Sequence, residues 1–202
     1  MSLTDAIVIF LAGMAAGTIN TIVGSGSLIT FPTLIALGYP PLLANVSNNI
    51  GLVPGSLSGA YGYRRELSGQ STRLRRLLPA SAIGALTGST LLLTLPSDAF
   101  DKVVIVLIVV ALALVVAGPS ISRRLAARRA AGGEHGDDVT PALIGLVAAA
   151  GVYGGYFGAA QGIILTAVLG IFIDDHLPRL NACKNVLAFA VAGSFDDCQR
   201  LV

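Results

Sequence analysis

The chain has 202 residues, of which 54% are apolar and only 12% charged, with a formal net charge of +2 and a mean hydropathy of +0.79. Soluble domains carry about 25% charged residues, so this composition excludes an ordinary soluble domain and predicts a membrane protein. It also argues against a nucleic-acid partner, because the Arg residues cluster in two loops with no aromatic or groove-reading element beside them.

The only charge before Arg64 is Asp5. No basic region precedes the first apolar run, so that run reads as a retained span rather than a secretory signal. It covers about residues 6–23. A shorter apolar piece, 28–37, is interrupted by Pro32 and is too short to cross comfortably at about 1.5 Å per residue. It reads as a re-entrant or half-membrane helix. Spans follow at 42–61, 77–95 and 103–117, then at 142–157, and the apolar stretch 163–173 is again short. The polar turn "DDHLPRL" leads into a last helix containing "NACKNVLAFA".

Basic residues set the expected orientation. Residues 63–76 hold five Arg and 119–141 hold four, whereas the turns 96–102 and 174–181 hold only Lys102 and Arg179. The two Arg-rich loops are therefore expected to be cytoplasmic. With the short segments re-entrant, each half starts on the cytoplasmic side and the halves are parallel repeats; were the short segments to cross, the halves would be inverted. Parallel repeats are the expectation.

The repeat itself is legible. "GMAAGTINTIVGSGSLITFPTL" opens the first half and "GVYGGYFGAAQGIILTAVLG" the second, each a Gly-rich helix leading through a polar break into a short apolar helix. "LANVSNNIGL" and "LNACKNVLAF" follow, aligning Ser47 with Lys184 and Asn48 with Asn185 at an offset of 137 residues. The expected fold is an all-α, multi-pass transmembrane helical bundle with two homologous repeats and short re-entrant helices. Its divisions are a first repeat over 1–118, an Arg-rich loop over 119–141 and a second, incomplete repeat over 142–202.

Small-xxx-small spacings such as Gly13/Gly17, Gly84/Gly88 and Gly151/Gly155 let helix backbones approach closely in lipid and predict packing rather than chemistry. The breaks at Gly24-Ser25-Gly26 and Ala160-Gln161-Gly162 say more. Unwound backbone at membrane depth must be buried in protein or line a watery cavity, and a helix starting there points positive partial charge at the break, which suits an anion. Asn20, Asn45, Ser47, Asn48 and Asn49 add unusual polarity to the first half, and Asn45, Asn48 and Asn49 share one helical side. Lys184 has two readings. One turn beyond Arg179, it could snorkel to an interface; alternatively it sits at depth beside Gln161 and Gly162, balanced by an anion. No catalytic constellation, Walker loop, metal-ligand spacing or CxxC is present; Cys183 and Cys198 read as incidental thiols, and His135 and His176 lie in separate loops. No enzyme activity, cofactor or metal is expected.

The stretches "GTINTIVGSGSLITFPTLIALGYPPLLANVSNN" and "YGGYFGAAQGIILTAVLGI…NACKNVLAF" resemble the two signature regions of the TauE/SafE sulfite-exporter family. The resemblance runs to about Ala190. It implies a bacterial or archaeal plasma-membrane permease with two related four-span halves, moving sulfite, sulfoacetate or other small sulfur-containing or organic anions by secondary transport. The family's Gly-rich motifs fall on Gly24, Ser25 and Gly26 and on Gly154, Gly155, Gln161 and Gly162. Its polar helix starts fall on Asn45, Ser47 and Asn48 and on Asn181, Lys184 and Asn185. The expected substrate-binding set is thus Asn20, Gly24, Ser25, Gly26, Asn45, Ser47, Asn48, Asn49, Gln161, Gly162, Lys184 and Asn185. Ser25 stands where the family often has another glycine.

The matching last helix gives way to "GSFDDCQRLV", which places Asp196 and Asp197 in an expected span. The two spans equivalent to 77–117 do not follow. The expectation is a truncated chain, the other route being completion by a second copy or a partner subunit. Lipid and a small anion are the expected partners. The rival from a different class is a non-transporting scaffold whose Gly-rich faces bind other helices.

Overall fold

The computed structural model describes residues 2–22, 24–130 and 139–200. Val23, at the end of the first expected span, the central segment 131–138 with His135, and the last two residues lie outside the described residues, as do the side chains of Asp196, Asp197 and Cys198. The described residues form eight helices and no strand: α1 (Leu3–Ile22), α2 (Ser27–Ala36), α3 (Pro41–Gly62), α4 (Ser71–Thr94), α5 (Ser97–Ala130), α6 (Pro141–Tyr156), α7 (Gln161–Phe172) and α8 (Leu177–Arg200). Among them α1, α4 and the Lys102–Ser120 part of α5 are long and apolar enough to cross a membrane. Leu3, Phe10 and Leu11 on α1 and Ile105, Val109 and Val116 on α5 are exposed, as lipid-facing side chains are. The chain is an all-α, multi-pass membrane bundle.

Two helix ends differ from expectation. Helix α5 continues to Ala130, so the expected loop 119–141 is helical over its first part. Its "SRRLAARRA" run is rich in strong helix formers, and hydropathy marks where the bilayer ends rather than where the helix does. Likewise α8 does not give way at Gly193 but runs to Arg200; one glycine costs about 1 kcal/mol in a helix and does not end it.

Contacts between helices fix their directions. A methyl group built on Gly55 would lie 4.0 Å from Gly17 Cα, and one on Gly59 would lie 3.3 Å from the Thr21 methyl, so α1 and α3 run parallel. Helix α2 carries the chain back between them: Gly26 packs under Ala16 and Asn20, Thr30 donates to the Asn48 side chain, and Tyr39 reaches the cluster around Phe100 at the end where α1 begins. In the second half Gly84 packs on Ala148 and Gly88 on Val152 and Tyr156, so α4 and α6 are parallel. Helix α7 returns from the Gly154 region to the cluster of Leu143, Leu169 and Ile173, where α8 starts beside Leu77 and Leu180. Gly59 packs on the Asn185 side chain, and beyond the end of α3 Gln70 Nε2 donates to the Arg179 carbonyl at the start of α8, so α3 runs antiparallel to α8. Consequently α1 and α3 point one way, and α6 and α8 the other.

The halves are therefore inverted, which corrects the expectation of parallel repeats. The short helices are re-entrant in that each turns back toward the face from which its half set out. The charge count could not separate these cases, because a return helix moves the following turn to the opposite face. That turn, 174–181, accordingly lies beside the Arg-rich link 63–76 rather than across the membrane from it.

An ion network joins the halves at this face. Arg73, 7% exposed, donates to Gln70 Oε1 at 2.8 Å and to Asp175 Oδ2 at 3.1 Å. Arg179 Nε lies 3.0 Å from the same carboxylate, and Gln70 Nε2 donates to the Arg179 carbonyl at 3.0 Å. Burial alone would push the Asp175 carboxyl up. The hydrogen bonds from Arg73, the His176 N–H and Arg179 outweigh burial and hold it below its ordinary value.

Two outcomes are expected for purified protein in detergent. Because Asp175 stays charged to lower pH when folded than when unfolded, its contribution is complete above about pH 4 and is lost as pH falls through the folded value. Asp175→Asn is expected to cost about 1–2 kcal/mol at pH 7, between exposed and buried pairs, and to flatten the acid side of a melting-temperature profile. In the α4–α6 seam, a methyl on Gly155 would lie 3.0 Å from Ala85 Cα, whereas one on Gly145 meets nothing within 4 Å. Gly155→Leu should therefore abolish the monodisperse peak in size-exclusion chromatography and Gly145→Leu should leave it intact.

Candidate functional site

The two broken segments meet in the middle of the bundle. Gly24 has φ +83° and Gly158 φ +79°, and Ala160, at φ +60°, is the one described non-glycine residue in the left-handed region. A methyl on Gly24 would sit 2.5 Å from Gly162 Cα, so neither half can add a side chain where they touch. The freed backbone groups are satisfied across the contact and within it. Ala160 N–H donates to Ser27 Oγ at 3.4 Å, Tyr153 hydroxyl donates to the Ala159 carbonyl at 2.6 Å, and Gly158 N–H donates to the Tyr153 carbonyl at 3.2 Å. From this point α2 runs toward one face and α7 toward the other.

Lys184 faces the same point from α8. It is 1% exposed, which removes the snorkelling alternative. Its Nζ donates to the carbonyls of Asn20 and Thr21, both at 3.3 Å. These carbonyls belong to the last turn of α1, where no intrahelical donor remains and the helix dipole is negative. Two of the three ammonium hydrogens are thereby placed. No carboxylate pairs with Lys184 among the described residues.

Beside the ammonium lies a cavity of about 30 Å³ lined by Asn20, Gly24, Asn49, Gln161, Gly162, Lys184 and Asn185, together with Ser56, Gly154 and Gly158. Three buried amide nitrogens at this cavity, Asn49 Nδ2, Gln161 Nε2 and Asn185 Nδ2, have no acceptor. An unmatched buried donor costs about 1–3 kcal/mol. Three of them converging beside an ammonium, with the first turn of α7 forming part of the wall, make a site built from donors. Chemically it fits an acceptor-rich, negatively charged occupant.

Seven of the twelve expected residues thus line one cavity. The others do not. Ser25 and Gly26 are buried, and Gly26 packs against α1. Asn45 Nδ2 donates to the Tyr156 carbonyl at 3.0 Å, tying α3 to α6. Ser47 and Asn48 line a separate cavity between α1, α2 and α3. The asparagines that share a helical side diverge because α3 is packed on several sides. Ser56, Leu52, Ala188, Val191 and Ala192 also line the site and went unread as binding residues. The signal for Ser56 was its position two turns beyond Asn49 on the same face of α3. Gly154 and Gly158 shape the site from the backbone, since a methyl on either would displace a site amide, that of Gln161 or Asn49.

The profile of the sulfite exporter TauE/SafE family matches residues 9–195. The chain is 30% identical over 195 residues to "Probable membrane transporter protein ORF9" of Sinorhizobium sp, covering 91% of this chain and 70% of that one. It is 26% identical over 182 residues to a "Probable membrane transporter protein" of Haemophilus influenzae, covering 90% of this chain and 69% of the relative. The same identity over 197 residues relates it to "Probable membrane transporter protein YfcA" of Escherichia coli K12, covering 92% and 70%. No solved structure matches the chain. With a family profile spanning nearly all of its length and relatives named as membrane transporters, the chain belongs to the sulfite exporter TauE/SafE family of membrane proteins.

Proposed function

We propose that the chain is a secondary carrier of a small anion: sulfite, a sulfonate or a related sulfur-containing or organic anion. The observation that carries this reading is the convergence of Lys184 with the unmatched amide donors of Asn49, Gln161 and Asn185 on one cavity. A scaffold has no use for such a cavity, since unmatched buried donors weaken packing. An oxyanion supplies the acceptors and the countercharge together, and turns those costs into binding.

The inverted halves support transport by alternating access, since two similar halves of opposite direction can exchange conformations around a site at their junction. In its present state the cavity has room for roughly two waters and is tight for an oxyanion. The anion enters when part of the wall yields. The connections carrying Arg64–Arg76, Arg123–Arg129 and Arg179 share one face, with Lys102 at the other. This supports a cytoplasmic Arg-rich face in a bacterial or archaeal plasma membrane.

Reconstituted proteoliposomes loaded with labelled sulfite or sulfoacetate provide the test. Lys184→Met should lose about a hundredfold in flux, and Gln161→Ala and Asn185→Ala about tenfold each, from about 1.4 kcal/mol per decade of rate. All three should remain monodisperse. Sulfite should raise the melting temperature of the parent chain and not that of Lys184→Met. Folded Lys184→Met protein that retains flux and stabilisation would reduce the lysine to a cap for α1, and a parent chain with neither flux nor stabilisation would favour the scaffold.

A further inference from the structure

A second cavity, of about 170 Å³, lies between α1, α2 and α3. Its wall is apolar along Ile9, Ala12, Ala16 and Leu34, but Thr30, Thr33, Ser47 and Asn48 line it as well. Polar side chains gathered on a cavity within a membrane bundle mark a path for water or solute more often than a lipid contact. Its lining residues on α3 are Ser47, Asn48, Gly51, Leu52 and Gly55, and those of the anion cavity are Asn49, Leu52 and Ser56. The two cavities thus occupy adjacent sides of the same helix, and Leu52 is the single residue that lines both.

The internal repeat gives this cavity a meaning. Shifted by 137 residues, Ser47, Asn48, Gly51 and Gly55 correspond to Lys184, Asn185, Ala188 and Ala192. All four members of the second set line the anion cavity, as all four of the first line the larger one. Helix α3 therefore presents to the larger cavity the register that α8 presents to the anion. The larger cavity lies toward the face where α1 begins, because Ile9, Gly13 and Gly17 line it in turn while Asn20 lines the anion site. At the opposite face the Arg73–Asp175–Arg179 network clasps the halves together.

We propose that the cavity between α1, α2 and α3 is the aqueous antechamber of the carrier, and that the Leu52 side chain is the gate between it and the anion site. The proposal rests on the anion-carrier reading and adds the route and the residue that controls it. Leu52 is half-buried and its neighbours Gly51 and Gly55 carry no side chain, so a rotation of this one residue has room to join the two spaces. The Gly17–Gly55 approach holds α1 and α3 together at the same level. That leaves Leu52 as the yielding part of the partition.

Cysteine accessibility in the full chain tests this without requiring a substrate. Single cysteines are placed at Ser47 and at Ser56, one on each side of the gate, and a membrane-impermeant sulfonated maleimide is applied to either face. Labelling of the parent chain, in which Cys183 is buried, gives the background. Ser47→Cys should react from the face opposite the Arg-rich connections. Ser56→Cys should react about tenfold more slowly, Leu52→Ala should remove most of that difference, and Leu52→Phe should enlarge it. A Ser47→Cys that stays unreactive, or reacts only from the Arg-rich face, overturns the antechamber. A Ser56→Cys rate that ignores both changes at Leu52 overturns the gate. Accessible Ser47 and gated Ser56 without Lys184-dependent anion stabilisation would support the route while sinking the anion reading. Anion stabilisation with an unreactive Ser47→Cys would sink the route alone.

Discussion

Where Gly24 meets Gly162, two interrupted backbones touch with no room for a side chain between them. In a bilayer interior, helix breaks survive only if the bundle satisfies the backbone groups they expose. Here each half does part of this for the other: Ser27, the first residue of α2, accepts from Ala160 N–H at the start of α7, and Lys184 of the second half donates to the last carbonyls of α1 in the first. An isolated half would leave these groups without the partners they have here. The contact also sets the directions of the two short helices, since α2 and α7 start side by side and leave toward opposite faces.

Lys184 serves two demands with one charge. The carboxyl end of α1, cut off at Ile22, needs donors and favours a cation, and Lys184 meets that need with two of its hydrogens. A helix cap alone would account for the lysine, but it leaves Asn49, Gln161 and Asn185 with unmatched nitrogens on the same cavity. Apolar side chains at those three positions would fold at lower cost. Their presence beside the ammonium argues that the cavity is built for an occupant rather than for packing.

How far the sequence could be read depended on which physical signal each feature leaves. Apolar runs and their lengths placed the eight described helices, because lipid demands continuous apolar segments. The glycines and polar residues at 24–26 and 160–162 disclosed the breaks, and the 137-residue offset disclosed the repeat. Direction was not legible: a ten-residue helix such as α2 has the same composition whether it continues across or turns back, and the Lys and Arg counts shift sides with that choice. The asparagines of α3 were visible as a cluster, but their division between a structural bond at Asn45, a contact with Thr30 at Asn48 and the site at Asn49 depends on three different neighbours. Leu52 carries no sequence signal at all. An apolar residue in an apolar helix becomes noticeable only when cavities appear on both sides of it.

The two halves share a helix order and a residue register but differ in charge, and the difference is informative. An exact inverted pair would set a lysine at 47 to match Lys184, placing two ammonium groups on neighbouring sides of α3 and α8 within one low-dielectric interior. Ser47 stands there instead. A single cation leaves one charged cavity, at Lys184, and, through the corresponding register of α3, a neutral polar one beside it. On the proposed route, an anion moving from Ser47 and Asn48 toward Lys184 and Asn185 would gain charge-assisted hydrogen bonds as it advances and would meet no second cation short of the junction. The same difference means the two halves are not energetically interchangeable, so alternating access as proposed would pass between states of unequal stability, with an anion at Lys184 weighting the balance between them.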